Sequence, residues 1–119
     1  MIELIALVLL SQQPLTPFNE GEASYYTVSS SSTLTASGDT LDDTALTCAM
    51  LDGEFGDYFL VVADNGRSVI VKLNDRGPYI DDRVIDLSKA AIRELHPTSG
   101  LMDVKIYRLG SGGARAPGN

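Results

Sequence analysis

Three aspartates stand in contexts that could aim a carboxylate. Asp75 is followed by Arg76, Gly77 and Pro78, a rigid turn that would fix the direction of its side chain, although the same residues also let Asp75 cap the turn or pair with Arg76. Asp39 follows Gly38 and reads either as a second working carboxylate or as a turn residue. Asp86 lies just ahead of a helical stretch, where a carboxylate either faces a ligand or answers the positive end of the helix. A carboxyl group held in one direction can pass a proton to a reacting oxygen and take one back. Tyr25, Tyr26 and Tyr79 add flat faces of the kind sugar rings stack on. Along a strand Tyr25 and Tyr26 point to opposite sides, so one of the two lines any groove and the other enters the core.

Other chemistries lack their residues. Cys48 is the one cysteine, which excludes an intrachain disulfide, and its apolar neighbours mark it as a small buried hydrophobe. The single histidine, His96, follows the helical stretch and no motif ties it to Cys48. The chain shows no metal-ligand cluster, glycine-rich phosphate loop or Ser-His-Asp arrangement, so neither metal nor cofactor is expected.

The elements that must position these groups are mostly strands. Ala23–Val28, Leu46–Met50, Phe59–Ala63, Ser68–Leu73, Arg83–Asp86 and Val104–Leu109 carry the β signal. Asp64-Asn65-Gly66 is a hairpin turn, because Asn and Gly tolerate positive φ. Ser88–Leu95 is the one convincing helix, capped by Ser88 and ended by Pro97. Ser11–Asn19 reads as an extended linker, Ser29–Ser32 as a loop, and Gly110–Asn119 as a mobile tail. Six short strands and one helix specify a small β-barrel or sandwich, and no internal repeat is visible.

A chain of 119 residues with 44% hydrophobic content makes one folded domain. Its net charge of −7 argues against nucleic acid as a partner, since phosphate binding needs clustered Lys and Arg. All 9 basic residues lie at Arg67 or later, which leaves the first half acidic. The apolar run Ile2–Leu10 is too short to span a bilayer. Its length suits a secretory signal, but no Lys or Arg precedes it and Glu3 interrupts it. No cysteine offers a lipid attachment point there. A partner-docking segment over residues 2–18 is the alternative.

Six pieces in order carry a family resemblance: Gly21-Glu22-Ala23-Ser24-Tyr25-Tyr26, Thr35-Ala36-Ser37-Gly38-Asp39, Ala45-Leu46-Thr47, Asn65-Gly66-Arg67-Ser68-Val69, Asn74-Asp75-Arg76-Gly77-Pro78-Tyr79 and Arg83-Val84-Ile85-Asp86-Leu87-Ser88. Together they resemble the RlpA-like (rare lipoprotein A) domain, over about Gly21 to Leu109. The resemblance implies a mainly β fold, a six-stranded double-psi β-barrel with one short helix, shared with expansins. The expected division is residues 1–20 as an N-terminal segment, 21–109 as the barrel and 110–119 as the tail. The resemblance further implies a groove for peptidoglycan glycan strands, an extracytoplasmic or virion-associated location, and, in active members, cleavage that leaves a 1,6-anhydro sugar end.

Carried over residue by residue, the resemblance makes Asp75 the catalytic aspartate. It puts Asp39 where the family usually has glutamate, Met50 where active members usually have histidine, and Asp86 in the Asp-Leu-Ser context of the expansins. The expected site is therefore Asp75 and Asp39 for catalysis, with Asp86, Tyr79, Tyr25 and Arg76 touching substrate. Methionine can neither hold a proton nor orient a carboxylate, so Met50 sets a non-catalytic glycan-binding module against a lytic transglycosylase. A structural role in a phage tail or virion is the third reading.

Overall fold

In the computed structural model, residues 16–27 and 34–111 are described. The apolar run at 2–10, most of the 11–19 stretch, the serine loop and residues 112–119 lie outside them. Six strands and one helix follow in order: β1 (Asn19–Tyr25), β2 (Thr47–Ala49), β3 (Asp57–Ala63), β4 (Ser68–Asp75), β5 (Arg83–Leu87), α1 (Lys89–Leu95) and β6 (Met102–Ser111).

The strands close into a barrel in the order β1-β5-β2-β4-β3-β6. β1 with β5 and β2 with β4 are the parallel pairs. The remaining four contacts are antiparallel. Exchanging β1, β2 and β3 for β4, β5 and β6 leaves this pairing scheme unchanged. The topology therefore has a two-fold symmetry although the sequence does not repeat: what it demands of the sequence is inward alternation and pairing geometry, which many residues satisfy.

Alternation builds the interior. Asp57, Phe59, Val61 and Ala63 of β3 are buried while Tyr58, Leu60 and Val62 between them are half-buried. Val69, Val71 and Leu73 of β4, Ile85 and Leu87 of β5, and Val104 and Ile106 of β6 meet them inside. α1 closes one side with Ala91, Ile92 and Leu95. The Ser88 hydroxyl accepts from the Ala91 N–H, as expected of a cap, and donates to the Ala45 carbonyl at 2.6 Å. The hairpin at Asp64-Asn65-Gly66 is also as expected, with Ala63 N–H bonded to the Arg67 carbonyl at 2.8 Å and Gly66 at φ 89°.

Two boundaries differ from the sequence reading. β1 begins at Asn19, and Phe18 before it donates to the Ile106 carbonyl and packs on Phe59 with ring centroids 5.0 Å apart. The end of the expected linker is thus part of the barrel. At the other end β6 runs on to Ser111, because Gly110 and Ser111 pair with Tyr58 and Asp57. Neither segment has an apolar pattern; backbone pairing recruits them.

Candidate functional site

The two pairings of β2, parallel with β4 and antiparallel with β5, bring two of the singled-out aspartates to its two flanks. Ala49 pairs with Asp75 of β4 on one flank and with Asp86 of β5 on the other, and Asp86 pairs in turn with Ser24 of β1. These residues form one lateral row, Asp75–Ala49–Asp86–Ser24, across four strands. At the spacing of neighbouring strands, the Cα atoms of the two aspartates lie about 10 Å apart. Ile85 and Leu87 are fully buried, so Asp86 between them points away from the core. Its carboxylate accepts a hydrogen bond from the Ser24 hydroxyl. Ser88 caps the helix, and Asp86 is left to face outward.

Asp75 is held by its own turn. Its Oδ1 accepts from the Arg76 N–H at 2.8 Å and from the Ala36 N–H at 2.9 Å. The second bond ties the 34–40 loop to the end of β4. The Ser37 N–H adds a bond to the Asn74 carbonyl at 3.1 Å, and the Asn74 amide reaches Asp39 Oδ2 at 3.4 Å. Asp39 therefore sits beside Asp75 through the shared neighbour Asn74. It is also a turn residue, since its carbonyl accepts from Thr35 N–H at 2.9 Å. Asn74 is 5% exposed, and its Oδ1 has no partner among the described residues.

Arg76 does not pair with Asp75. Its guanidinium donates to the carbonyls of Met50 and Asp52 at 3.2 Å and Gly53 at 2.7 Å, and stacks 4.4 Å from the Phe55 ring centroid. It clamps the 50–55 loop against the site. Gly53 is fitted to that clamp: its φ is 96°, and a Cβ there would lie 2.8 Å from Leu73 Cδ2.

Tyr25, the last residue of β1, and Tyr26 after it point to different surroundings. Tyr26 is buried, with its hydroxyl 2.7 Å from Thr47 Oγ1. Burial pushes its phenol up to about 12, against the pull of the Thr47 bond, and the carboxylates of Asp75 and Asp86 push the same way as burial. Tyr26 thus meets β2 at Thr47, two residues before Ala49. Tyr25 lies on the far flank, with Arg93 5.4 Å over its ring and Gly100 against its edge. There it lines a groove with Ser24, Arg83 and Leu101. Tyr79 is 79% exposed beside Gly77.

Sequence reasoning left out Ser24, Asn74 and Ala49. Ser24 gave one faint signal, a polar residue following a core alanine in a strand. Asn74 stands inside the quoted motif beside Asp75, but its role shows only in its bonds to Ser37 and Asp39, and Ala49 becomes visible only through register. His96 is occupied elsewhere: its Nδ1 accepts from the Thr98 and Ser99 N–H groups at 3.1 and 2.9 Å. Cys48 is fully buried, as its apolar neighbours implied, and burial pushes its thiol up.

The lytic transglycolase family matches residues 19–106, the six strands and the helix up to the middle of β6. The chain belongs to this family. Its RlpA-like barrel is 45% identical over 91 residues to the probable endolytic peptidoglycan transglycosylase RlpA of Treponema pallidum, covering 75% of this chain and 29% of that protein. It is 44% identical over 92 residues to the endolytic peptidoglycan transglycosylase RlpA of Haemophilus influenzae, covering 76% and 32%. The chain thus spans less than a third of the length of either relative. Among solved structures, the apo expansin of Clavibacter michiganensis aligns with a TM-score of 0.59 at 19% identity, over 84% of this chain and 52% of that one. At that identity the likeness is one of fold.

Within this RlpA-like barrel the Met50 position is a core position. Met50 is 1% exposed and belongs to the buried cluster with Phe59 and Leu73. Only its backbone touches the site, through an N–H donated to the Asp75 carbonyl at 3.2 Å.

Proposed function

We propose that this domain binds the glycan strands of peptidoglycan along the Asp75–Ala49–Asp86–Ser24 row and cleaves them as a lytic transglycosylase. The observation that carries the reading is that row, two outward carboxylates flanking one small residue, in a chain of the lytic transglycolase family. Asp75 is the acid and then the base. It gives its proton to the glycosidic oxygen as the bond to C1 breaks, and the sugar's own C6 hydroxyl closes on C1. The proton released from that hydroxyl returns to Asp75, so no water is consumed. Asp39 assists from beside Asn74, and Asp86, steadied by Ser24, bonds sugar hydroxyls. Tyr25 and Tyr79 offer ring faces on either flank, while Arg76 acts through the loop it holds. A domain with this substrate works in the cell envelope.

The test is digestion of purified sacculi followed by muropeptide analysis. Release of anhydro-muropeptides by the wild type, lost in Asp75→Asn, is the expected result. Absence of such products at every pH from 4 to 8 would overturn cleavage.

The burial of Met50 favours a second reading, in which the groove binds glycan without cutting it. That reading expects the protein to sediment with sacculi and leave them intact. It also expects products, if any, only after Met50→His.

A further inference from the structure

Among the described residues, the Asn74 amide and the Asp39 carboxyl are each other's only side-chain hydrogen-bond partner. The amide N–H donates to Asp39 Oδ2 at 3.4 Å, while Asn74 Oδ1 accepts from nothing. The two side chains lie in opposite surroundings. Asn74 is 5% exposed near the end of β4, next to the fully buried Leu73, and Asp39 stands exposed in its loop. An orphaned acceptor in so buried a place lowers stability, and a fold retains one where it meets another demand.

Tethering the 34–40 loop is not that demand. Two bonds that bypass the Asn74 side chain already hold the loop to β4: Ala36 N–H to Asp75 Oδ1 at 2.9 Å, and Ser37 N–H to the Asn74 carbonyl at 3.1 Å. Aiming Asp75 is not the demand either, since the Arg76 and Ala36 N–H groups fix its Oδ1. What the amide fixes is the Asp39 carboxyl, which would otherwise turn freely in water. An amide also suits a carboxyl that gains and loses a proton. Its N–H donates to the carboxylate, and half a turn about its last torsion offers Oδ1 to the O–H of the acid. Oδ1 has no partner to give up, so the turn leaves the number of unpaired groups unchanged. The other titratable groups around Asp39 are Asp42, Lys72 of β4 and Tyr58 of β3, which line one cavity with Asp39 and Asn74, and Asp75, which follows Asn74. None of them bonds Asp39, and Asp42 is held by Thr44.

We infer that Asn74 is a positioning residue that aims Asp39 at the substrate in both of its protonation states. The inference rests on the proposed function, in which Asp39 assists Asp75, and it adds the group through which Asp39 keeps its direction.

Two measurements on the full chain test it. In the first, NMR follows the Asp39 carboxyl carbon and the Asn74 side-chain amide from pH 7 to pH 3. The amide signals should move with the midpoint of Asp39, and Asp39→Asn should abolish that response. In the second, Asn74→Leu puts an apolar group of similar size in place of the amide. With the orphaned acceptor gone, the unfolding temperature should hold or rise by about 4 °C. Release of anhydro-muropeptides from sacculi should nevertheless fall roughly tenfold in kcat, with KM kept within about twofold. Asn74→Asp, which sets two carboxyls face to face, should be weakest at pH 8 and recover towards pH 4, where one shared proton restores the bond. With an active wild type, an amide that stays still while Asp39 titrates overturns the inference and leaves the proposed function standing. So does an Asn74→Leu variant that either keeps full activity or loses stability and activity together. A wild type that leaves sacculi intact overturns the proposed function and the positioning role with it.

Discussion

Asp75 and Asp86 flank Ala49 from opposite sides, on the two strands that border β2. They come from turns of different kinds, Asp75 from the Asn74–Pro78 stretch and Asp86 from the approach to α1. The parallel pairing of β2 with β4 and the antiparallel pairing of β2 with β5 put them on one row. A substitution at either carboxylate should therefore be felt by the same ligand.

Asp86→Asn keeps the shape of the side chain and its bond with Ser24 but removes the charge. We expect it to keep the fold and to reduce anhydro-muropeptide release from sacculi by roughly 10- to 100-fold. Ser24→Ala leaves the charge and removes its hydroxyl partner. The expected cost is about 1–2 kcal/mol of stability, with a smaller loss of product. Product release by Asp86→Asn equal to that of the wild type would remove Asp86 from the site.

The Arg76 clamp makes a different kind of prediction. Arg76→Ala removes three donated bonds and the contact with Phe55, leaving the carbonyls of Met50, Asp52 and Gly53 to find water. Denaturant unfolding should show a loss of about 2–3 kcal/mol. Arg76→Lys should recover less than half of it, because one ammonium cannot serve carbonyls spread along a loop. A residue that only touched ligand would show neither effect.

Much of this framework is legible in the residues themselves. Ser88 and Pro97 bracket the helix, Asn65-Gly66 marks the hairpin, and β-branched runs mark β3 and β4. The start of β1 is not legible, because Asn19, Glu20 and Glu22 are polar and are held by main-chain pairing to β5 and β6. The direction of Arg76 is hidden for another reason. Its sequence neighbour Asp75 is the obvious partner, while the carbonyls it binds lie more than 20 residues away. Of the candidate carboxylates, the motifs gave the identity and the register gave the arrangement. The Ser24–Asp86 bond spans 62 positions and leaves no local trace.

Tyr26 gives the barrel an alkaline limit. Its phenol titrates at about 12 in the fold, raised mainly by burial, against about 10 in an unfolded chain. The folded state then holds the proton more tightly, so the stabilisation is complete below pH 10 and is lost as pH rises to 12. The loss should approach roughly 2 kcal/mol across that window. Tyr26→Phe should be about 1 kcal/mol less stable at neutral pH, for want of the Thr47 bond, and should lack this part of the alkaline slope. Urea titrations of both proteins at pH 8, 10 and 11.5 measure the difference; parallel slopes would contradict it.

Met50→His tests which way position 50 faces. The methionine is 1% exposed in the buried cluster, so an imidazole placed there loses packing and lacks an evident hydrogen-bond partner. A cost of about 2–4 kcal/mol at pH 7 is expected. The pH dependence of that cost carries the orientation. Burial among apolar groups lowers a histidine pKa in the fold below its unfolded value of about 6.5, so the unfolded chain binds the proton more readily and stability falls further from pH 7 to 5. An imidazole that instead turned to pair with Asp75 would have a raised pKa, and stability would rise over the same window. Falling stability on acidification is the expected outcome, and unfolding curves at pH 7, 6 and 5 decide between the two. A rising curve would place position 50 within reach of the carboxylate and make the buried methionine a replaceable part of the site.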